Sequence, residues 1–268
     1  MKMAAIQMVS GTSVERNLVQ AGQLLQQAAD QGAELAVLPE YFCLMGLQDT
    51  DKLKVQEQFG TGPIQDFLSQ SARKLGLWIV GGTLPLATTE PARARNSSLV
   101  FNQDGLCVAR YDKIHLFRFD NGQESYDESC VLERGSHPVT FDIASSDGHT
   151  YRIGMSICYD LRFPELYRQL RADILLVPSA FTFTTGQAHW EILLRARAIE
   201  NLAFVLASAQ GGVHENSRKT WGHSMIIGPW GQILAEHAQG SGVVVAEVMK
   251  ETLQTARSRL PALNHAVL

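Results

Sequence analysis

The chain has 268 residues, of which 45% are hydrophobic and 19% charged, and 27 acidic against 23 basic side chains give a formal charge of −4. This composition is too apolar and too weakly charged for a disordered protein. A pI of about 6.1, with no cluster of Lys and Arg, excludes nucleic acid as the main partner. No run of eighteen apolar residues occurs, so no membrane span is expected. The length and the lack of a linker predict one domain, 1–268.

The four cysteines are widely spaced along the chain. They are Cys43, Cys107, Cys130 and Cys158. No pair has the C-x-x-C spacing of thiolate metal sites and redox pairs. The start of the chain also lacks the apolar core and the cleavage site of a signal peptide. We therefore expect a cytoplasmic protein with free thiols, one of which could be a nucleophile.

Short apolar runs alternate with helical patterns in the first half of the chain. Residues 3–9 and 35–38 are predicted strands, because each is a short apolar run bounded by polar or turn residues. Thr12 and Glu15 have the spacing of a capping box before a helix that Gly32 ends. A further helix is predicted over 64–75, and strands over 77–82, 96–103 and 106–113, the last two joined by a hairpin at Gln103-Asp104-Gly105.

The second half repeats this alternation. Pro164 is placed to open a helix, and a longer helix over 187–203 is expected to bury one apolar face. That predicted face consists of Ile192, Ala196, Ile199 and Ala203. Strands are predicted over 152–158, 173–178, 204–209, 223–228, 232–236 and 243–248. Alternating strands and helices with hairpins predict an α/β fold, in which one or two mixed sheets are covered by helices.

Three polar residues stand at the ends of predicted strands. Glu40 follows the second predicted strand, whereas Lys113 and Cys158 each close a later strand. In sheets covered by helices, reactive groups gather beyond the carboxyl ends of the strands, because the loops there converge. These residues are far apart in the sequence, so only folding could bring them together.

Cys158 has the most suggestive local pattern. Residues 154–165 indicate a strand, a tight turn and the start of a helix, which would expose the thiol at a sheet edge and aim backbone N–H groups towards it. Such an environment favours the thiolate. Cysteine is also among the residues most often buried in cores, so the local pattern alone leaves a structural role open.

Three longer motifs strengthen the catalytic interpretation. Leu38-Pro39-Glu40, Tyr111-Asp112-Lys113-Ile114-His115-Leu116-Phe117 and Cys158-Tyr159-Asp160-Leu161-Arg162-Phe163-Pro164-Glu165 together resemble the three signatures of the nitrilase superfamily of carbon–nitrogen hydrolases. They occur in the same order as in that family, and the resemblance covers essentially the whole chain. It implies a four-layer αββα sandwich of two mixed sheets flanked by helices. It also implies a Glu–Lys–Cys triad with no metal or organic cofactor.

The residue types of this implied triad fit amide hydrolysis through a thioester. A thiolate is a strong nucleophile near neutral pH. Glu40 would take the proton of the Cys158 thiol and return it to the leaving nitrogen. Lys113 would stabilise the oxyanion together with the backbone N–H of Tyr159.

The resemblance also implies a second glutamate, between the lysine and the cysteine, that orients the lysine or the substrate. Glu128 matches that position, and Glu124 and Asp127 are close enough in sequence to be alternatives. A solvated carboxylate in a surface loop is the structural alternative for Glu128.

Segment 178–201 resembles the branch of the superfamily that holds omega-amidases and deaminated glutathione amidases, and segments 209–214 and 221–225 resemble the deaminated glutathione amidases more closely. The resemblance implies hydrolysis of deaminated glutathione to 2-oxoglutarate and cysteinylglycine, with 2-oxoglutaramate as the alternative substrate that yields the same acid. Because both acyl groups end in a carboxylate, a cation is expected in the pocket. Arg162 is the candidate, since a guanidinium binds a carboxylate with two hydrogen bonds.

Arg162 could alternatively pair with the nearby carboxylates of Asp160 or Glu165. Thr184 or Thr185 is expected to donate a further hydrogen bond to the substrate. The partner is thus a small-molecule amide that carries a carboxylate. The resemblance also suggests a homodimer or larger homo-oligomer, which would use the helix after the nucleophile and the segment 249–268.

Other functions stay open at this point. A true nitrilase or a carbamoyl hydrolase is the alternative among enzymes, and an inactive family member that serves as a binding module is the alternative outside enzymes. A Cys158 thiol that titrates below the ordinary value near 8.5 would favour the enzyme. His115 is disfavoured as a base, because neighbouring residues of a strand point to opposite faces. His189 and Trp190 are more typical of helix packing.

Overall fold

Fifteen strands occur in the residues that the computed structural model describes, which are 1–123 and 125–267. The first eight are β1 (Lys2–Gln7), β2 (Leu35–Val37), β3 (Trp78–Val80), β4 (Leu84–Ala87), β5 (Ala94–Phe101), β6 (Cys107–Asp112), β7 (Arg118–Asp120) and β8 (Ser125–Asp127). The others are β9 (Thr140–Ala144), β10 (Thr150–Gly154), β11 (Ile174–Leu176), β12 (Phe204–Ala207), β13 (Ser224–Ile227), β14 (Ile233–His237) and β15 (Gly242–Glu247).

Helices occupy much of the chain between the strands. The α-helices are α1 (Val14–Asp30), α2 (Asp51–Lys54), α3 (Pro63–Leu75), α4 (Pro164–Leu170), α5 (Phe183–Asn201) and α6 (Lys250–Arg259). Short 3₁₀-helices cover Glu128–Cys130, Cys158–Arg162 and Ala262–Asn264. Within the described chain, none of these helices is both long and apolar enough to cross a membrane.

The strands form two large mixed sheets and one separate hairpin. The first sheet has the order β15-β1-β2-β3-β5-β4, with β6 paired to β5. The second sheet has the order β14-β13-β12-β11-β10-β9, and β7 pairs only with β8. The neighbours among β1, β2 and β3, and among β10, β11 and β12, are parallel, whereas the remaining pairs are antiparallel. The predicted alternation of strands and helices therefore produces two mixed sheets.

Side chains of β1 alternate between two buried layers. Met3 and Ala5 belong to the apolar cluster that the two sheets share. Ala4 and Ile6 belong to the cluster that α1 and α3 complete on the other face of the first sheet. Because α4 and α5 cover the second sheet, the layers run helix, sheet, sheet, helix. The αββα architecture implied by the resemblance is confirmed.

The predicted capping box at the start of α1 is wrong. Ser13, not Thr12, is the N-cap, and its side chain accepts a hydrogen bond from the Arg16 N–H at 3.3 Å. The Thr12 hydroxyl donates instead to the carboxylate of Glu215. Adjacent Ser and Thr residues both suit an N-cap, so the sequence does not decide between them.

The predicted buried face of the long second-half helix is also wrong. Helix α5 begins at Phe183 rather than at residue 187, and Ile192 and Ile199 are 69% and 47% exposed. The residues that pack against the second sheet are Trp190, Leu194 and Ala198. The helix carries apolar residues on more than one side, so a helical period alone does not identify the buried face.

Candidate active site

Cys158 lies in a tight turn between β10 and α4. Its strand was predicted to reach residue 158, but β10 ends at Gly154 and Cys158 is the first residue of the 3₁₀-helix. The Cys158 N–H donates to the Pro178 carbonyl at 3.0 Å, which ties this turn to the end of β11. The Cys158 backbone is in the left-handed region, with φ of 48°. Strained backbone of this kind is concentrated at functional sites.

The carboxylate of Asp160 holds this turn in place. It accepts hydrogen bonds from the Ile157 N–H at 2.8 Å and from the Tyr111 hydroxyl at 2.7 Å. It also accepts the His115 N–H at 3.1 Å, and the His115 ring stacks on Phe163 with centroids 3.6 Å apart. The motif residue His115 thus stabilises the turn through Asp160 and Phe163, and it does not face the thiol as a base.

Glu40 follows β2 and its carboxylate is buried, with 1% of the residue exposed. One oxygen accepts hydrogen bonds from Lys113 Nζ at 2.8 Å and from Asn96 Nδ2 at 2.9 Å. The other oxygen accepts the backbone N–H of Ala180 at 2.9 Å. Both oxygens are therefore fixed in orientation. The contact with Ala180 links a loop of the first sheet to a loop of the second.

Lys113 follows β6 and is as deeply buried as Glu40. Its Nζ donates to Glu40 and also to the two oxygens of Glu128, at 2.9 and 2.8 Å. Burial alone would lower the Lys113 pKa, but the negative charges of Glu128 and Glu40 outweigh burial and raise that pKa. The ammonium group is thus a permanent cation between two carboxylates.

Glu128 belongs to this cluster and is partly buried, with 13% of its side chain exposed, so it is not a solvated surface carboxylate. It accepts the Phe117 N–H at 2.7 Å and the Tyr41 hydroxyl at 2.8 Å, in addition to Lys113. Burial would raise its pKa, but the charge and hydrogen bond of Lys113 outweigh burial and lower the pKa. Of the two alternatives, Asp127 caps the next turn by accepting the Ser129 N–H at 3.0 Å, and Glu124 lies outside the described residues.

The pKa of the Cys158 thiol differs from the sequence-based expectation of a stabilised thiolate. Burial raises the pKa of the thiol, the charges of Glu40 and Glu128 raise it further, and Lys113 offsets only part of this. The resulting pKa is well above the ordinary value of a thiol. The prediction that the turn favours a resting thiolate is therefore wrong. It considered the backbone N–H groups at the helix start, but not two carboxylates that are distant in the sequence.

A small cavity opens over the thiol. Glu40, Lys113, Glu128 and Cys158 all reach its wall. The rest of the wall includes Phe117, Tyr159, Arg162, Phe181, Thr185 and Arg218. The predicted catalytic residues are thus brought together, although they come from loops of both sheets.

Arg162 contributes a cation to this cavity. Both terminal nitrogens of its guanidinium lie 3.3 Å from His189 Nδ1, and the group is positioned over the rings of Tyr159 and Phe181. Among the described ion pairs, Arg162 joins neither Asp160 nor Glu165. The guanidinium is therefore oriented without being neutralised by a carboxylate.

Thr184 does not fit its expected role. Its side chain is exposed and is not part of the cavity wall, whereas Thr182 and Thr185 are buried there. Their hydroxyl oxygens lie 2.7 Å apart. The N-terminal turn of α5 directs residues 182 and 185 inward, so the alternative, Thr185, is the threonine in a position to meet a substrate.

Three residues of the site were missed in the sequence. Asn96 binds Glu40, Tyr41 binds Glu128, and Arg218 lies in the cavity wall. Tyr41 directly follows Glu40, and Asn96 opens a predicted strand, but nothing in either position indicates a polar contact. Arg218 lies between two of the segments that resemble the family branch, in residues to which no role was assigned. Within 1–123 and 125–267, no group of three His, Cys, Asp or Glu side chains is arranged to hold a metal ion.

Known proteins resemble this chain over nearly its whole length. A deaminated glutathione amidase of Synechocystis sp. is 40% identical over 270 residues, which cover 98% of this chain and 97% of that protein. Omega-amidase NIT2 of Pongo abelii is 33% identical over 265 residues, with 97% and 92% of the two chains covered.

Solved structures share the fold. The crystal structure of the Caenorhabditis elegans NitFhit protein matches with a TM-score of 0.90 at 34% identity, over 99% of this chain and 65% of that chain. Nit3 of Saccharomyces cerevisiae, described as a member of branch 10 of the nitrilase superfamily, matches with a TM-score of 0.87 at 30% identity, over 97% and 94% of the two chains. The model of the carbon-nitrogen hydrolase family matches residues 2–258. The chain therefore belongs to the carbon–nitrogen hydrolases of the nitrilase superfamily.

Proposed function

We propose that this protein hydrolyses deaminated glutathione to 2-oxoglutarate and cysteinylglycine, a metabolite-repair reaction, through a thioester on Cys158. The observation that carries the proposal is the buried Glu40–Lys113–Glu128 cluster, which shares one cavity with the thiol and with the cation of Arg162. The relatives that bear the name of this amidase add support. The groups of the triad are sufficient for the chemistry, so no cofactor is required.

In the first step, the sulfur of Cys158 attacks the amide carbon as Glu40 takes the thiol proton. The charges of two carboxylates disfavour a free thiolate, so loss of the proton is coupled to attack. Glu40 then returns this proton to the nitrogen as the C–N bond breaks. The amine product leaves, and the acyl group remains on sulfur as a thioester.

The negative oxygen of the tetrahedral intermediate needs donors. Lys113 Nζ supplies a fixed positive charge, and we assign the second donor to the backbone N–H of Tyr159. The N–H groups of Cys158 and Asp160 already donate to Pro178 and Ile157, at 3.0 Å in each case. The Tyr159 N–H lies between them, in the first turn of a helix, where N–H groups lack partners within the helix.

In the second step, water attacks the thioester. Glu40, regenerated as a carboxylate, takes a proton from this water. Collapse of the intermediate releases 2-oxoglutarate, and the proton restores the Cys158 thiol. Lys113 stays protonated throughout, because its pKa is raised by the two glutamates.

Hydrolysis of 2-oxoglutaramate is the second candidate function, supported by the omega-amidase relative. It uses the same acyl group and differs only in its leaving group, ammonia. A nitrilase and a carbamoyl hydrolase are less favoured, because the relatives named above are amidases. An inactive binding module is less favoured, because Glu40, Lys113 and Glu128 all surround the thiol, and a base beside the thiol removes the need for a low thiol pKa. The single domain over 1–268, the cytoplasmic location and the homo-oligomer stay predictions from the sequence.

Replacing Glu40 by glutamine tests the proposed base. We expect Glu40→Gln to lower kcat for 2-oxoglutarate release from deaminated glutathione by about 100- to 10,000-fold, the usual contribution of a general base. Glu57→Gln is the matched control, because Glu57 is a buried glutamate outside the cavity that accepts the backbone N–H of Ile64 at 2.6 Å. A folded Glu40→Gln protein with the kcat of the control would contradict the mechanism.

A pH titration tests the protonation state of the nucleophile. Because the Cys158 pKa is raised, the thiolate is expected to be absent at neutral pH and to form only above the ordinary value near 8.5. Thiolate absorbance at 240 nm, measured as the difference between the native protein and Cys158→Ala, isolates this thiol. In Glu40→Gln, which removes a negative charge, the midpoint should fall. A native midpoint at or below 8.5 would show that the thiol is preactivated.

Arg162→Ala tests the proposed clamp for the acyl carboxylate. A hydrogen-bonded charge pair is worth about 1.5–3 kcal/mol, so KM for deaminated glutathione should rise about 10- to 100-fold. KM for an amide whose acyl chain lacks a carboxylate should change little. Arg195→Ala is the control, because Arg195 lies on α5 outside the cavity and binds the Gly231 carbonyl at 2.8 Å. An equal rise in KM for both amides would argue against the clamp.

A further inference from the structure

Arg218 lies where two cavities meet. It belongs to the loop between β12 and β13, and it lines the catalytic cavity together with Cys158. It also lines an outer groove formed by residues 46–49, 125–126 and 216–219. Among the described residues, it is the only one shared by these two cavities. A substrate that extends from the thiol towards the groove would therefore come close to the Arg218 side chain.

The donors of Arg218 are poorly used within the described part of the protein. Its Nε is buried and has no hydrogen-bond acceptor there. One terminal nitrogen reaches the Ala180 carbonyl at 3.5 Å, which is at the limit for a hydrogen bond. The guanidinium also lies 4.8 Å from the centre of the Tyr126 ring. The side chain is thus held in orientation, whereas its hydrogen-bonding capacity is largely unmet.

Two carboxylates near Arg218 in the described part of the chain pair with other cations. Glu128 binds Lys113, and Asp49 in the groove lies 3.7 Å from Lys52 Nζ. Another buried arginine, Arg197, does pair with a carboxylate, that of Glu200, at 2.7 Å. A half-buried guanidinium with an unmet donor suits a carboxylate ligand, which can accept two parallel hydrogen bonds.

The sizes of the two cavities indicate which end of a substrate would reach Arg218. The catalytic cavity is small and is lined by Arg162, whereas the outer groove is much larger. An acyl group bound by Arg162 would occupy the inner space. A leaving group of two residues would then extend past Arg218 into the groove.

We propose that Arg218 forms a second carboxylate site, which binds the terminal carboxylate of a peptide-like leaving group. This inference rests on the proposed amide hydrolysis and adds the basis for the choice of leaving group. Arg162 selects the acyl side and Arg218 selects the amine side. The site favours an amide whose amine portion ends in a carboxylate over an amide that releases ammonia.

Binding of two ligands to two protein variants, measured without turnover, tests the contact between Arg218 and the terminal carboxylate. The ligands are deaminated glutathione and its analogue in which the glycine carboxylate is a carboxamide, and the proteins are Cys158→Ala with and without Arg218→Met. Calorimetry should show the carboxamide binding about 10- to 100-fold more weakly to Cys158→Ala, and the two ligands binding within about 3-fold of each other when Met replaces Arg218. Arg218→Lys should retain part of the discrimination.

Arg134→Ala is the charge-matched control, since Arg134 is exposed and outside both cavities, and it should keep the full discrimination. Discrimination that persists in Arg218→Met would overturn the inference, as would equal binding, or no binding, of the two ligands to Cys158→Ala. A purely structural role of Arg218 would weaken both ligands equally. Failure of the proposed function is separate, because it would appear as a native enzyme that releases no 2-oxoglutarate, whatever the result of the binding cycle.

Discussion

The site depends on one buried ammonium group held between two carboxylates. Lys113 donates to Glu40 and to both oxygens of Glu128, and 1% of Lys113 is exposed. A buried charge is costly unless it is paired and hydrogen-bonded, so each of the three side chains requires the other two. The cluster carries a net charge of −1 beside Cys158. That excess charge, together with burial, explains why the pKa of the Cys158 thiol is raised.

The two sheets meet at this cluster. Glu40 and Lys113 follow strands of the first sheet, whereas Cys158 and Ala180 follow strands of the second. The Ala180 N–H donates to Glu40 at 2.9 Å, which fixes the loops of one sheet against those of the other. Packing of the two sheets through a shared apolar core therefore also sets the geometry of the site. Precise positioning of this kind is what general-base catalysis requires.

Much of the fold and a set of candidate site residues could be predicted from the sequence. Alternating periodicity predicted one or two mixed sheets, whereas the resemblance to the nitrilase superfamily implied two sheets and a triad of Glu40, Lys113 and Cys158. Interactions between segments that are distant in the sequence could not be predicted. The thiol pKa depends on Glu40 and Glu128, which reach Cys158 only on folding. The buried face of α5 depends on which side meets the second sheet, and the apolar pattern indicated a different side.

The pocket residues illustrate the same limit. Thr184 and Thr185 are equivalent in the sequence, and only the turn that begins α5 separates the exposed residue from the buried one. Arg218 has no motif of its own, and its proposed role rests on its position in the walls of both a cavity and a groove. Neither distinction follows from residue type, because both depend on the direction in which a side chain points after folding.

The central claim is that Cys158 carries the acyl group of an amide that yields 2-oxoglutarate. Its most direct test is 2-oxoglutarate release from deaminated glutathione and from 2-oxoglutaramate, measured side by side with Cys158→Ala as the control. The account predicts faster release from deaminated glutathione and none from the variant. Faster release from 2-oxoglutaramate would keep the thiol mechanism and change the substrate. Release of 2-oxoglutarate by folded Cys158→Ala would contradict the account. The account would also be contradicted if the native protein released 2-oxoglutarate from neither substrate.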